Sequence, residues 1–207
     1  MESDDEDLFG RNIPVILKNS DALFPDYIPE RIVGRQKAKR QVATLFRPLL
    51  RDGSPNNGLI YGPSGSGKTV VTKYVLRLLD KSLADTPRNG DVKWVYITCK
   101  QINAESDILY TLIRELDPST GISQRGHSMG YYYSSLWKIM IERGTSMIVV
   151  LDEIDFLKSD NLLYNFSRAV SNGDLPQGQF IRIVGLSNTL KFESKLDSRV
   201  RSSAAFR

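Results

Sequence analysis

The most informative residues form a glycine-rich run that could bind phosphate groups. They match the pattern G-x-x-x-x-G-K-[ST] and are Gly62, Pro63, Ser64, Gly65, Ser66, Gly67, Lys68 and Thr69. Glycine has no Cβ, so successive backbone N–H groups can turn toward phosphate oxygens. Lys68 would place its charge on the outer phosphates, and Thr69 would offer its hydroxyl to Mg²⁺. The run predicts a nucleoside triphosphate site, and a plain glycine-rich turn is the alternative.

Two adjacent carboxylates form a second group that could do chemistry. Asp152 and Glu153 directly follow the apolar run 148–151. Ligands of α/β sheets bind at the carboxyl ends of strands, so Asp152 could reach a magnesium ion held by Thr69. Glu153 would then face a water in line with the terminal phosphate. A solvated loop or a helix N-cap is the alternative, and Asp155 could serve either a helix N-terminus or the chemistry.

A third polar position follows another apolar run. Residues 180–186 end at Ser187 and Asn188. An amide at the end of this strand could orient a water or the terminal phosphate, between the carboxylates and the glycine-rich loop. An asparagine in an ordinary turn is the alternative.

The elements that must position these groups alternate along the chain. Apolar runs predict strands at residues 59–61, 92–98, 146–151 and 179–186. Helical patterns begin at residues 35 and 68 and cover 106–116, 131–143 and 156–171, with a helix or turn at 190–200. Pro48 should end or bend the first helix. This alternation predicts an α/β fold with three layers and a parallel central sheet.

Length and composition predict a globular protein. The chain has 207 residues, of which 41% are hydrophobic, enough for one sizeable core. Its longest apolar runs, such as 147–151, are strand-sized, and its acidic start lacks the pattern of a signal peptide. Cys99 is the single cysteine, which excludes an internal disulfide and fits a reducing cytoplasm. We therefore expect a soluble, cytoplasmic protein with no membrane contact.

The charge is unevenly distributed. Five carboxylates fall within residues 2–7; without them, 28 basic residues stand against 19 acidic ones, a balance of +9 instead of +4. Such an excess of basic residues is compatible with a nucleic-acid partner, although proteins that contact ribosomes or membrane surfaces show the same excess. We expect residues 1–10 to be a disordered acidic tail, 11–34 an N-terminal arm and 35–207 the nucleotide-binding domain.

Taken in order, these features resemble those of AAA+ ATPases. The phosphate loop, the Asp-Glu strand and the Asn-ending strand are followed by LDSRVRSS at 196–203. More narrowly, the chain resembles the archaeal replication initiators, the family that unites origin recognition complex subunit one with cell division control protein six. That match rests on FPDYIPERIVGR at 24–35, the GPSGSGKT loop, LDEID at 151–155 and LDSRV at 196–200. It covers about residues 11–203.

The resemblance implies ATP and Mg²⁺ as ligands and assigns roles to single residues. The segment from Tyr27 to Val33 would lie over the adenine, and Val70 would join the loop in lining the nucleotide. Glu153 would polarise the attacking water, and Asn188 would be the first sensor residue. Arg199 would be the finger that reaches a neighbouring subunit's nucleotide, with Arg201 as the second choice. Without the family, two arginines near the end of the sequence are more often ordinary surface charges, which is the alternative.

The resemblance also implies a DNA contact in residues 103–133, where the initiators carry an additional helical motif. Arg125 is the best single candidate, beside Arg114, His127 and the tyrosines at 131–133. The alternative is a core helix, because apolar residues recur with helical spacing at Tyr132, Tyr133, Leu136, Trp137 and Met140.

Family members continue into a helical lid and a winged helix, whereas this sequence stops at Arg207. We therefore expect weaker nucleotide gating and weaker DNA binding than in the complete proteins. The main hypothesis is a slowly hydrolysing initiator ATPase whose partners are double-stranded DNA and neighbouring AAA+ subunits or other replication proteins. A non-hydrolysing interaction module is the second hypothesis. Another AAA+ type, such as a helicase loader or transposition ATPase, is the third.

Overall fold

A computed structural model describes residues 24, 27–51 and 53–206. The chain divides into two units, Met1–Arg31 and Ile32–Arg207. In the first unit, the backbone amide of Tyr27 donates to the carbonyl of Phe24 at 3.0 Å. The expected acidic tail at 1–10 and the expected arm up to residue 23 lie outside the described residues.

The second unit contains a four-stranded parallel sheet. Its strands are β1 (Gly58–Tyr61), β2 (Val92–Thr98), β3 (Ser146–Asp152) and β4 (Ile181–Ser187), in the spatial order β1-β4-β3-β2. Tyr61 pairs with Ser187, and Asp152 pairs with Leu186. The carboxyl ends of β1, β4 and β3 therefore lie side by side, and the predicted α/β fold with a parallel sheet is confirmed.

Helices connect and cover the strands. They are α1 (Gln36–Phe46), α2 (Lys68–Leu83), α3 (Glu105–Leu116), α4 (Met129–Glu142), α5 (Asn161–Arg168), α6 (Phe192–Lys195) and α7 (Ser198–Ala204). Two 3₁₀ turns cover Arg47–Arg51 and Ile154–Phe156. Within the described ranges, no helix has the length and apolar character needed to cross a bilayer.

The strand β3 shows why the fold has three layers. All its residues are buried, and successive side chains of a strand point to opposite faces. Met147, Val149 and Leu151 pack with α3, α4 and α5. Ile148 and Val150 pack with α1 and α2 on the other face. Burial on both faces explains the uninterrupted apolar sequence of this strand.

The first helix follows its predicted apolar face. Val42 and Phe46 are buried on α1, and Leu49 is buried in the turn that follows. Arg47 keeps helical dihedrals, but Pro48 has no backbone N–H to continue the hydrogen-bond ladder, and the α-helix ends at Phe46. The chain continues as the 3₁₀ turn Arg47–Arg51.

Two predicted helical segments are wrong in extent. The predicted helix at 156–171 is replaced by the 3₁₀ turn Ile154–Phe156, a break and the shorter α5. Polar groups around this break bond to other elements: Asp155 contacts the end of β4, and the amide of Lys158 donates to the carbonyl of Asn103 at 3.2 Å. The predicted helix or turn at 190–200 consists of two short helices, α6 and α7.

Candidate functional site

The glycine-rich loop connects β1 to α2. Gly65 and Gly67 have φ angles of 74° and 89°, which residues with a Cβ rarely adopt. The hydroxyl of Ser66 is buried and has no hydrogen-bond partner among the described residues. The first backbone N–H groups of α2 have no partner within the helix, and they form the positive end of the helix dipole. The loop is therefore shaped to surround an anion at a helix N-terminus.

The side chain of Lys68 ties this loop to the end of β4. Its Nζ donates to the carbonyl oxygens of Gly62 and Pro63 at 2.7 and 3.1 Å. It also donates to Oδ1 of Asn188 at 2.9 Å. These bonds account for the three donors of a lysine ammonium. The structure thus brings Asn188 beside the loop, as the strand order requires.

Thr69 and Asp152 meet at the start of α2. The Thr69 hydroxyl donates to Oδ2 of Asp152 at 2.7 Å, and the Glu153 amide donates to Oδ1 at 2.9 Å. A hydroxyl and a carboxylate are hard oxygen ligands, and Mg²⁺ commonly takes one or two protein ligands together with waters and phosphates. The residues present therefore fit a magnesium ion beside bound phosphates.

The electrostatics of this edge of the sheet also suit a cation. Cys99 is buried just after β2. Burial raises the pKa of its thiol to about 12, and the negative charges of Asp152, Glu153 and Asp155 add to the shift. Asp152, Glu153 and Asp155 place three carboxylates within four residues at the end of β3, and a divalent ion there would offset their charge.

Glu153 has an unusual backbone conformation. Its φ is 53°, a left-handed value that is uncommon outside glycine and that often marks functional sites. Its side chain is half-buried, and its carboxylate has no hydrogen bond or ion pair within the described residues. The carboxylate is therefore available for a ligand or a water.

Asp155 has a position that sequence reasoning did not identify. Its Oδ1 accepts from the Ser187 hydroxyl at 2.9 Å, and its Oδ2 accepts from the Asn188 amide at 3.0 Å. This clamp joins the turn after β3 to the end of β4 and holds Asn188 near Lys68. Gly185 lies beside this contact, where a Cβ would come 2.9 Å from Cδ1 of Ile154 and displace that methyl group.

Tyr96 on β2 is a second residue that sequence reasoning missed. Its hydroxyl donates to Oδ2 of Asp152, the same oxygen that accepts from Thr69. Its place follows from the strand register, which the sequence does not show. Thr98 pairs with Asp152, so Tyr96, two residues earlier, shares a sheet face with that carboxylate.

A cavity of about 690 Å³ opens beside the loop. One wall is formed by α1, including Gln41 and Leu45, and the other by β1 and the loop, including Gly62, Gly67 and Lys68. Its volume is in the range of small-molecule sites.

Comparison with known proteins assigns this arrangement to a family. A family model described as an AAA domain matches residues 51–184. ORC1-type DNA replication protein 2 of Halobacterium salinarum is 33% identical over 194 residues, which cover 91% of this chain and 72% of that protein. This chain belongs to the archaeal ORC1-type family of AAA domain proteins. ORC1-type DNA replication protein 15 of Haloarcula marismortui is 34% identical over 91% of this chain.

A solved ORC1-type structure has the same fold. The ORC1 protein of Aeropyrum pernix in complex with DNA superposes with a TM-score of 0.75 at 32% identity, over 89% of this chain. The chain spans 46% of the Aeropyrum chain and 46% of the Haloarcula protein, about half of each.

The proposed arginine finger of this ORC1-type chain lies on α7. The Arg199 side chain is 79% exposed and contacts Oδ1 of Asp197, the N-cap of the helix, at 3.2 Å. Hydrogen bonds from the backbone and side chain of Arg199 hold the pKa of Asp197 below its ordinary value. Arg201 instead donates to the carbonyls of Ser194 and Leu196 at 3.4 and 3.2 Å. Arg199 is therefore the freer of the two to reach a neighbour.

The remaining predicted nucleotide contacts come from separate segments of the chain. Val70 lies in the first turn of α2, partly buried. Val33 lies just before α1 and is 81% exposed, and Tyr27 belongs to the first unit. The expected adenine contacts of Tyr27 and Val33 stay predictions.

The aromatic segment of the ORC1-type chain divides between core and surface. Tyr132, Leu136, Trp137 and Met140 are buried, which confirms the core helix. Tyr133 is half-buried and donates to Glu105 at 2.6 Å. Tyr131 is exposed and stacks on His127 with ring centroids 4.3 Å apart. Arg125 is exposed in the preceding loop, so this loop and Tyr131 form the accessible part of the segment.

Proposed function

We propose that this chain is the ATP-binding and slowly hydrolysing module of a DNA replication initiator, and that its nucleotide state controls assembly on origin DNA. One observation carries the proposal. Two contacts meet at the carboxyl ends of adjacent strands. The Lys68 ammonium donates to Asn188 at 2.9 Å, and the Thr69 hydroxyl donates to Asp152 at 2.7 Å. This is where an α/β sheet places a nucleotide.

The chain's own groups would bind and orient the phosphates. The loop N–H groups and the N-terminus of α2 would surround the inner phosphates, with their positive dipole toward the anion. Lys68 would exchange its carbonyl partners, Gly62 and Pro63, for oxygens of the outer phosphates. Thr69 and Asp152 would hold Mg²⁺, which when bound neutralises charge that develops on the transferred phosphoryl group.

Two further groups would act on the water that attacks the terminal phosphate. Glu153 follows Asp152 directly and has an available carboxylate, so it would orient the water and accept its proton. Asn188 would place its amide at the terminal phosphate, held there by Asp155. The cavity between α1 and the loop provides room beside the phosphates for the nucleoside.

Lys68→Ala tests the nucleotide site. It removes the ammonium that would face the outer phosphates, so ATP affinity should fall at least about tenfold, which corresponds to about 1.4 kcal/mol or more. Isothermal calorimetry with Mg²⁺ measures the loss. Lys81→Ala is the matched control, since it removes an exposed lysine about 20 Å farther along the same helix. Equal affinity of the Lys68 variant and the parent would refute the assignment.

The DNA part of the proposal is supported by the balance of +9 outside the acidic tail and by the exposed loop that carries Arg125. The Aeropyrum ORC1 protein, which this chain resembles, was solved in complex with DNA. We propose that double-stranded DNA lies against this loop, with Arg125 on a phosphate and the stacked pair of His127 and Tyr131 beside it.

Arg125→Ala should weaken DNA binding and lower the slope of log affinity against log salt by about one, because one phosphate contact and its released counterion are lost. Fluorescence anisotropy across a salt series measures the slope. Arg77→Ala, which removes an exposed arginine from α2, should leave the slope unchanged. Identical slopes for the Arg125 variant and the parent would exclude Arg125 from the interface.

A further inference from the structure

The carboxylate of Asp152 is held from three sides. Its Oδ1 accepts from the Glu153 amide at 2.9 Å. Its Oδ2 accepts from the Thr69 hydroxyl at 2.7 Å and also from the hydroxyl of Tyr96. The first two donors belong to the site already described, whereas Tyr96 comes from the neighbouring strand β2 and has no part in the proposed hydrolysis.

The ring of Tyr96 also contacts α2, the helix whose first turn carries Lys68 and Thr69. The Nζ of Lys73 lies 4.6 Å from the ring centroid, within the range of a cation–π interaction. Lys73 is four residues after Thr69 on α2, so both side chains project from the same side of the helix. Helix α2 therefore places Thr69 against the Asp152 carboxylate and Lys73 over the ring of Tyr96, whose hydroxyl donates to the same carboxylate.

The position of Tyr96 matters because a metal ligand that is already oriented loses less conformational entropy when it binds the ion. An aspartate carboxylate can rotate about two side-chain torsions, and each hydrogen bond to it removes part of that freedom. Thr69 and Asp152 would both hold Mg²⁺, and the Thr69 hydroxyl would keep its proton, so the Thr69–Asp152 bond need not be lost. The Tyr96 hydroxyl lies outside this ligand pair and would keep its own bond to Oδ2. Hydrogen bonds of this outer kind set the orientation and affinity of metal ligands.

We propose that Tyr96 is a positioning residue of the magnesium site, which holds Asp152 in the orientation that binds Mg²⁺ with the nucleotide. The inference rests on the proposed nucleotide function and adds to it a residue on β2. It implies that Tyr96 controls the magnesium dependence of nucleotide binding and leaves binding without magnesium unchanged.

Tyr96→Phe tests this with the loss of a single hydroxyl. Binding of a fluorescent ATP analogue is titrated at increasing Mg²⁺ concentration and, separately, in EDTA. The magnesium concentration for half-maximal binding should rise about tenfold, the lower end of the range for loss of an outer partner. Affinity in EDTA should equal that of the parent. Tyr132→Phe is the matched control, because the Tyr132 hydroxyl donates to the Ser123 carbonyl on another element.

A double-mutant cycle with Asp152→Asn shows whether Tyr96 acts through that carboxylate. In the Asp152→Asn background, Tyr96→Phe should cause no further shift, since the oriented ligand is already gone. Three outcomes would overturn the role of Tyr96. The magnesium concentration for half-maximal binding could stay unchanged in Tyr96→Phe, or it could rise equally in Tyr132→Phe. It could also rise further when Tyr96→Phe is added to Asp152→Asn. These results leave the proposed function intact if the parent binds the analogue in a magnesium-dependent way. A parent that fails to bind it contradicts the proposed function itself, and the inference with it.

Discussion

Glu153→Gln should bind ATP as tightly as the parent and hydrolyse it roughly a hundredfold more slowly, the scale of one general acid–base group. The substitution keeps the shape of the side chain and removes the charge that would orient and deprotonate water. The structure supports a role in turnover, because the Glu153 carboxylate has no hydrogen bond within the described residues and its backbone adopts a left-handed φ of 53°.

Steady-state phosphate release, measured with and without DNA, tests this expectation beside a binding assay. Glu142→Gln is the matched control; it removes an exposed carboxylate from the end of α4, where its partner is Lys138. Asp152→Asn should differ from Glu153→Gln by impairing binding that depends on magnesium. Hydrolysis by Glu153→Gln at the parent's rate would show that the water is activated elsewhere. A parent without measurable turnover would instead favour a nucleotide-dependent interaction module.

Arg199→Ala should leave the ATP affinity of the isolated chain unchanged and abolish the rise of turnover with protein concentration. A finger supplied to a neighbouring site contributes nothing to its own, and the loss for such residues reaches about a thousandfold. The structure is consistent with action on a neighbour. Arg199 lies on α7 with its side chain 79% exposed, and its contact, Asp197, is a surface carboxylate that a phosphate could replace. Arg201→Ala should not reproduce the effect, because Arg201 donates to carbonyls of its own chain.

Mixing two inactive variants provides the sharpest test of this arrangement. Arg199→Ala retains Glu153, and Glu153→Gln retains Arg199, so a shared interface between the two chains contains one complete site. The mixture should therefore recover turnover that neither variant shows alone. Absence of recovery, together with parent turnover that does not depend on concentration, would place Arg199 outside any active interface.

The sequence alone determined those features whose cause is local. The glycine-rich loop is recognisable because phosphate binding demands glycines, a lysine and a hydroxyl at fixed spacing, and Gly65 and Gly67 adopt left-handed φ values. The strand β3 is recognisable because burial on both faces requires an uninterrupted apolar run. Alternation of such strands with helices was sufficient to predict the parallel three-layer fold.

Only the tertiary structure decided how distant side chains combine. Asp155 appeared as an acid near a helix start, yet it clamps Ser187 and Asn188, because the order β1-β4-β3-β2 makes the ends of β3 and β4 neighbours. Tyr96 appeared as a strand residue, yet its register with β3 delivers its hydroxyl to Asp152. Neither contact produces a recognisable periodicity or residue spacing in the sequence, because hydrogen bonds between strands depend on which strands pair and in what register. Strand pairing is a property of the whole sheet, whereas the phosphate loop is specified by eight consecutive residues.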